Sequence, residues 1–263
     1  MPIVRAMRAF LVVVFVFGSA SAEASQVTER PVEVPVVAGT GYDALDVNRL
    51  SLVATRHSLV LDGQPIVALD HGHVASVDKA GDLVITRLEQ LLVKRLATPR
   101  VKPELTMFLD RATPYRSLIE IVYTARQAGV REFYLATQTR DGAVAAPLAM
   151  PTPAQLQASP GLMVSVLKSE VLVWSRSGDE GTLAQPKATI SLHRPTAIVE
   201  LTTALTEIAS RRWPGERRSA ASRMIALQAD PSVSAQVIAN VIGAVRATVD
   251  GKDLFPDVAL SGL

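Results

Sequence analysis

The sequence predicts an α/β protein: two tandem small domains, each a mixed β-sheet with helices on one face. Two observations carry this. Leu105–Thr137 reads as an apolar strand ending in Asp, an amphipathic helix and a second apolar strand, and Met224–Ser261 repeats that order more weakly. Before each copy lie further strand-like runs and one more helical pattern. Strands, helix, strand, helix, strand thus occurs twice, and alternation of the two hydrophobic periods marks sheets covered by helices. Matching Asp110 with Asp230, and Ile119 and Val122 with Ile238 and Val241, sets the copies about 118–120 residues apart.

The elements follow in order. Residues 1–22 carry Arg5 and Arg8, an apolar run Phe10–Phe17, and Ala20 and Ala22 at the spacing of a cleavage site. That is a signal peptide or, if retained, a single-pass inner-membrane anchor; the run is short of the about 20 apolar residues a span takes. Residues 23–49, with Pro31, Pro35, Gly39 and Gly41, read as an extended lead-in. The first domain, 50–140, opens with strands Leu50–Ala54, Ser58–Leu61 and Ile66–Leu69, the last two joined by an Asp62-Gly63 hairpin turn. Ile85, Leu88, Leu92 and Leu96 then fall at helical spacing, closed by Pro99 and Pro103.

The strand Leu105–Leu109 follows, with Asp110 just beyond it. Thr113 is placed as N-cap and Pro114 at the first helical position, where its missing N–H costs nothing. Tyr115, Leu118, Ile119 and Val122 form the buried stripe, Gly129 ends the helix, and Glu132–Ala136 returns as a strand. Residues 141–160, rich in Ala and Pro, read as a linker.

The second domain, 161–263, repeats the order with strands Leu162–Leu167, Val171–Ser175 and one within Leu183–Leu192. A helix through Leu201, Leu205 and Ile208 ends near Trp213, and the strand Met224–Leu227 follows. Asp230-Pro231 starts a helix that buries Val233, Val237, Val241 and Val245, and Val258–Leu260 is the last strand.

Charge narrows the partners. The chain has 27 basic and 25 acidic residues, and setting aside Arg5 and Arg8 leaves 25 of each. A body so balanced lacks the clustered positive field of a nucleic-acid footprint. The chain has no cysteine, which removes disulfides, Cys-based zinc sites and thiol nucleophiles.

Other motifs are weak. Asp70-His71-Gly72-His73 places two imidazoles on one face if extended, but a surface turn explains it more simply, and zinc takes three or four ligands. Ser165 and Lys168 match an S-x-x-K spacing without its partner motifs. Gly39-Thr40-Gly41 lacks the third Gly of a dinucleotide fingerprint. Asp110 and Asp230, at equivalent points of two domains, are expected far apart and engaged in turns. Trp174 and Trp213 offer stacking faces for a wall polymer, with core packing as the simpler expectation. Arg211, Arg212, Arg217 and Arg218 form a basic loop suited to an acidic partner.

Leu109-Asp110, Pro114-Tyr115 and Gln127-Ala128-Gly129-Val130, with Leu59-Val60-Leu61-Asp62-Gly63 upstream, resemble the periplasmic domain of the ExbD/TolR family. Leu254-Phe255-Pro256-Asp257-Val258 with Leu260-Ser261 resembles endings seen in its relatives. These proteins are the small subunits of proton-driven inner-membrane motors for biopolymer transport. The resemblance covers 50–137 well and 162–261 more loosely. Its motif positions Asp110, Pro114, Tyr115, Gly129 and Asp230 are structural rather than catalytic.

The resemblance implies a noncatalytic periplasmic protein with no cofactor or bound metal. Its implied partners are other subunits of an ExbB/TolQ-like membrane complex, a second copy as homodimer, or peptidoglycan, and no nucleic acid. One departure stands out: residues 9–22 lack the transmembrane Asp through which the family's conducting members pass protons. The alternative is a periplasmic cell-wall or metal-dependent hydrolase built around His71 and His73.

Overall fold

A computed structural model describes residues 32–37, 43–46, 48–150, 161–213, 223–249 and 252–261. The segment read as signal or anchor, residues 151–160, and Arg217 and Arg218 lie outside them. The first unit runs β1 (Asp43–Ala44), β2 (Leu50–Ala54), β3 (Ser58–Leu61), β4 (Gln64–Asp70), β5 (His73–Val74), β6 (Lys79–Ala80), β7 (Val84–Ile85), α1 (Thr86–Leu96), β8 (Glu104–Leu109), α2 (Tyr115–Gln127), β9 (Glu132–Thr139) and β10 (Gly142–Leu148). The second runs β11 (Leu162–Val166), β12 (Glu170–Ser175), β13 (Ala188–Ser191), α3 (Ala197–Arg212), β14 (Met224–Ala229), α4 (Ala235–Val245), β15 (Thr248–Val249), β16 (Lys252–Asp253) and β17 (Asp257–Leu260).

The protein is α/β, with mixed sheets, as the sequence predicts. The first sheet has the order β1-β10-β9-β8-β2-β3-β4-β5 and the second β13-β12-β11-β14-β17. Reversed, the second sheet matches β9-β8-β2-β3-β4 strand for strand. The parallel pairs β2/β8 and β8/β9 answer β11/β14 and β14/β17, and the remaining pairs of the matched set are antiparallel in both. Each crossover, through α1 and then α2, steps across the sheet in the same direction. Right-handed connection therefore puts both helices on one face, where they touch each other, as do α3 and α4.

Strand alternation sorts the residues. Leu50, Leu52 and Ala54, Leu105, Met107 and Leu109, and Ile225, Leu227 and Ala229 face the helices and are buried. Trp174 alternates with the core residues Val171 and Val173, so it lies on the face away from the helices, where its Nε1 donates to Ser165 Oγ at 2.8 Å. The Asp62-Gly63 turn has φ of 48° and 78°, the positive pair that a tight hairpin demands. Gly129, at φ 105°, ends α2 as expected.

Several boundaries differ from expectation. Residues 142–148 of the expected linker form β10, paired with β9 along its whole length. Pro147 is tolerated because β1 covers only Val144 and Ala145, leaving an open edge at the proline. The strand expected within Leu183–Leu192 shrinks to β13. The helix expected from Asp230-Pro231 begins at Ala235, after a turn. The copies also align at 120 residues through the helix, so Leu118 answers Ile238 and Val122 answers Ile242, all four buried. Finally, Ala149 N donates to Val258 O at 2.8 Å and Leu260 N to Ala149 O at 3.3 Å, which ties the two sheets together.

Candidate functional site

The residues carrying the motif build a junction between the units. Asp110 N donates to Ala54 O at 2.8 Å, its Oδ1 accepts Ala112 N at 2.9 Å, and its carbonyl accepts Thr113 N at 2.8 Å. Asp230 repeats each contact: its N–H donates to Val166 O at 2.8 Å, its Oδ1 accepts Ser232 N at 2.9 Å, and its carbonyl accepts Val233 N at 3.0 Å. Both are side chain-to-backbone turns, the role aspartate fills most readily. Ser232 Oγ adds a bond of 2.5 Å to Asp230 Oδ1. This hydroxyl first, then the Ser232 N–H, holds the Asp230 carboxyl below its ordinary value, and Lys168 adds a little. Arg56 stands 3.6 Å from Asp110.

The two turns were expected far apart. They lie against each other, because each completes the other's helix. The first N–H groups of a helix have no partner within it, and neither α2 nor α4 has a side-chain cap. Tyr115 N instead donates to Val233 O at 2.7 Å and Arg116 N to Pro231 O at 3.0 Å. In return Ala235 N donates to Thr113 O at 2.8 Å and Gln236 N to Arg111 O at 2.9 Å. Adding or subtracting 120 maps each bond onto its counterpart, so the junction has local two-fold symmetry. Pro114 and Ser234 face each other across it as an antiparallel bridge.

This corrects the expected N-cap. Pro114, with φ −66° and ψ 148°, is the residue before the helix, and the Thr113 hydroxyl is buried without a partner.

The symmetry breaks at Tyr115, whose twin is Ala235. The Tyr115 hydroxyl lies 2.8 Å from Ser261 O and 3.2 Å from Leu227 O, where β17 runs out beside β14. Burial pushes this phenol far above its ordinary value. In the first unit the lead-in lies alongside β9 beyond the end of β8. Val37 N donates to Gln138 O at 2.9 Å and Gln138 N to Pro35 O at 2.8 Å. Arg111 N donates to Glu33 O at 2.8 Å. Gln236, from the second unit, accepts Val36 N at 3.0 Å and donates to Val36 O at 2.7 Å. The lead-in thus spans both units.

Arg211 and Arg212, expected in a loop, are the last two residues of α3, and both are engaged within the protein. Arg212 pairs with both oxygens of the buried Glu180, at 2.7 Å to Oε1 and closely to Oε2, and reaches Asp179 at 3.3 Å. Arg211, half-exposed, stands 3.5 Å from Glu180. His71 sits in a turn at φ 49°, between β4 and β5, with an exposed side chain. The two imidazoles therefore do not alternate along one strand. Among the described residues no three His, Cys, Asp or Glu side chains converge as a metal site, and no helix is long and apolar enough to cross a membrane. Ser165 accepts from Trp174 Nε1 and from Gln228 Nε2 at 2.7 Å, on a strand rather than a helix start.

Sequence reasoning missed Val233, Gln236, Gln138 and Ser261 as junction residues. The repeat spacing pointed only to Val233 and Gln236, the twins of Thr113 and Arg116; nothing pointed to Gln138 and Ser261, whose contacts run through backbone groups. No family model matches this chain, and no curated protein matches it.

Proposed function

We propose that this protein is a noncatalytic subunit of a bacterial envelope complex. In this reading it acts from the periplasm by protein contact, in the manner of the ExbD/TolR domains that its motifs resemble. One observation carries the reading. Asp110 and Asp230 shape the two turns, and Pro114 and Tyr115 sit where those turns join the units, so the motif positions are spent on structure. The repeated order of strands and helices is the one expected for a doubled copy of that domain. The acid-free segment 9–22 makes the role accessory: contact with a motor-type membrane subunit, without proton conduction.

Co-purification from native membranes tests the contact, and retention of an ExbB/TolQ-like subunit is the expected result. Reconstitution of such a subunit with this chain should give no proton flux, against a positive control with an Asp-bearing partner. Flux at the control's level would overturn the accessory role; absence of any membrane partner would overturn the proposal itself.

A further inference from the structure

We infer that the junction is a two-fold protein interface enclosed within one chain, so that this protein stays single and stands in an assembly where two copies of one unit would. Closed self-association places the same patch of each partner against the other, residue i meeting j and j meeting i. The junction has that pattern: Tyr115 N to Val233 O with Ala235 N to Thr113 O, and Arg116 N to Pro231 O with Gln236 N to Arg111 O. These bonds use the backbone groups that a second copy would need. A second chain could enter only by displacing the first chain's own unit, which is held at far higher effective concentration by its covalent connection.

The broken symmetry fixes which units pair. The Tyr115 hydroxyl is seated on the Leu227 and Ser261 carbonyls of the second unit. The first unit carries its lead-in, Pro35–Val37, at Gln138. Two second units would set Ala235, which has no hydroxyl, against those carbonyls. Unlike units thus gain a Tyr115 anchor that two second units would lack, and a partner meets two non-identical faces. This inference rests on the junction alone and holds whether or not the partner is a motor subunit.

The chain's lack of cysteine makes a clean test. Pro114 and Ser234 oppose each other as a pair flanked by, not sharing, the hydrogen bonds. Cα atoms in such pairs lie about 4.5 Å apart, within disulfide reach. The full-length protein carrying Pro114→Cys and Ser234→Cys should oxidise to a bridge within one chain, seen as a single-chain band on a non-reducing gel and by mass spectrometry of the linked peptides. Light scattering of the unmodified full chain, in mild detergent if its N-terminal segment is retained, should give one copy per particle, 28.1 kDa for the whole sequence. A disulfide-linked dimer, a doubled mass, or failure of the two cysteines to join would each overturn the inference. Since the mass measurement needs no variant, misfolding of the double mutant leaves it decidable. Loss of motor binding with a single-copy mass would sink the functional proposal and spare this one.

Discussion

At the scale of single residues, Thr113 and Val233 occupy twin positions and differ by a hydroxyl. Val233 is buried and apolar, while the Thr113 Oγ1 is buried and unpartnered. A buried polar group left unpaired costs about 1–3 kcal/mol. Thr113→Val should therefore stabilise the protein by about 1 kcal/mol, read as a higher denaturant midpoint at unchanged slope; a lower midpoint would mean that the hydroxyl has a use. Asp230 gives a pH prediction. Its folded-state value lies below the ordinary 3.8, so its contribution is present above that value and is lost as pH falls through the folded one. Ser232→Ala removes the largest cause of the shift. The Asp230 carboxyl should then titrate at higher pH by NMR, and the variant should lose stability earlier on acidification. Its deficit should close once both proteins are protonated.

Among the elements, α2 is bound on two sides. Its N-terminus is completed by the second unit, and its middle carries Glu120, buried between Lys79 Nζ at 2.9 Å and Arg116 Nε at 2.8 Å. Lys79 belongs to β6, and Thr124 Oγ1 accepts Ile85 N of the paired β7 at 2.9 Å, so this face of α2 holds the β6–β7 ribbon in place. Glu120→Gln leaves Lys79 facing a neutral amide in a closed site, and breaking such a pair costs on the order of 3 kcal/mol. Thermal melts should show the loss, with faster amide exchange in β6 and β7; unchanged exchange there would mean that Glu120 does not hold the ribbon.

The sequence made most of these elements legible, and for a physical reason. Leu105–Leu109 and Leu118–Val122 owe their shapes to hydrophobic period, which local residues carry. β10 was hidden because alternating Ala with Pro147 resembles a linker, and its pairing with β9 is not encoded locally. The start of α4 was misplaced because Asp230-Pro231 imitates a helix opening, whereas Asp230 instead forms a turn with Ser232. The junction was illegible in its contacts: bonds between backbone groups leave no mark in side-chain identity. Only the doubled Asp–turn–helix pattern hinted at it.

For the whole molecule, one contiguous cluster of buried side chains takes in residues from both units, from Leu50 through Leu109 to Leu227 and Leu260. Tyr115 of the first unit is anchored on carbonyls of the second, and Gln236 of the second holds the lead-in of the first. Neither unit keeps a complete set of partners without the other. Calorimetry should therefore show one cooperative transition whose van't Hoff and calorimetric enthalpies agree. Two resolved transitions, or one unit melting while the other stays protected from exchange, would show that the units are energetically separate.

The lead-in has a mechanical consequence. Glu33, Pro35, Val36 and Val37 are gripped successively by Arg111, Gln138 and Gln236 along one extended stretch, with Val36 running parallel to β9 at Gln138. Tension entering from the N-terminal side would pull these bonds lengthwise and share the load among them, instead of peeling them off one at a time. Because Gln236 belongs to the other unit, the same tug reaches both halves at their seam. A pull arriving along the lead-in would thus be carried by both halves at once, through bonds loaded in shear.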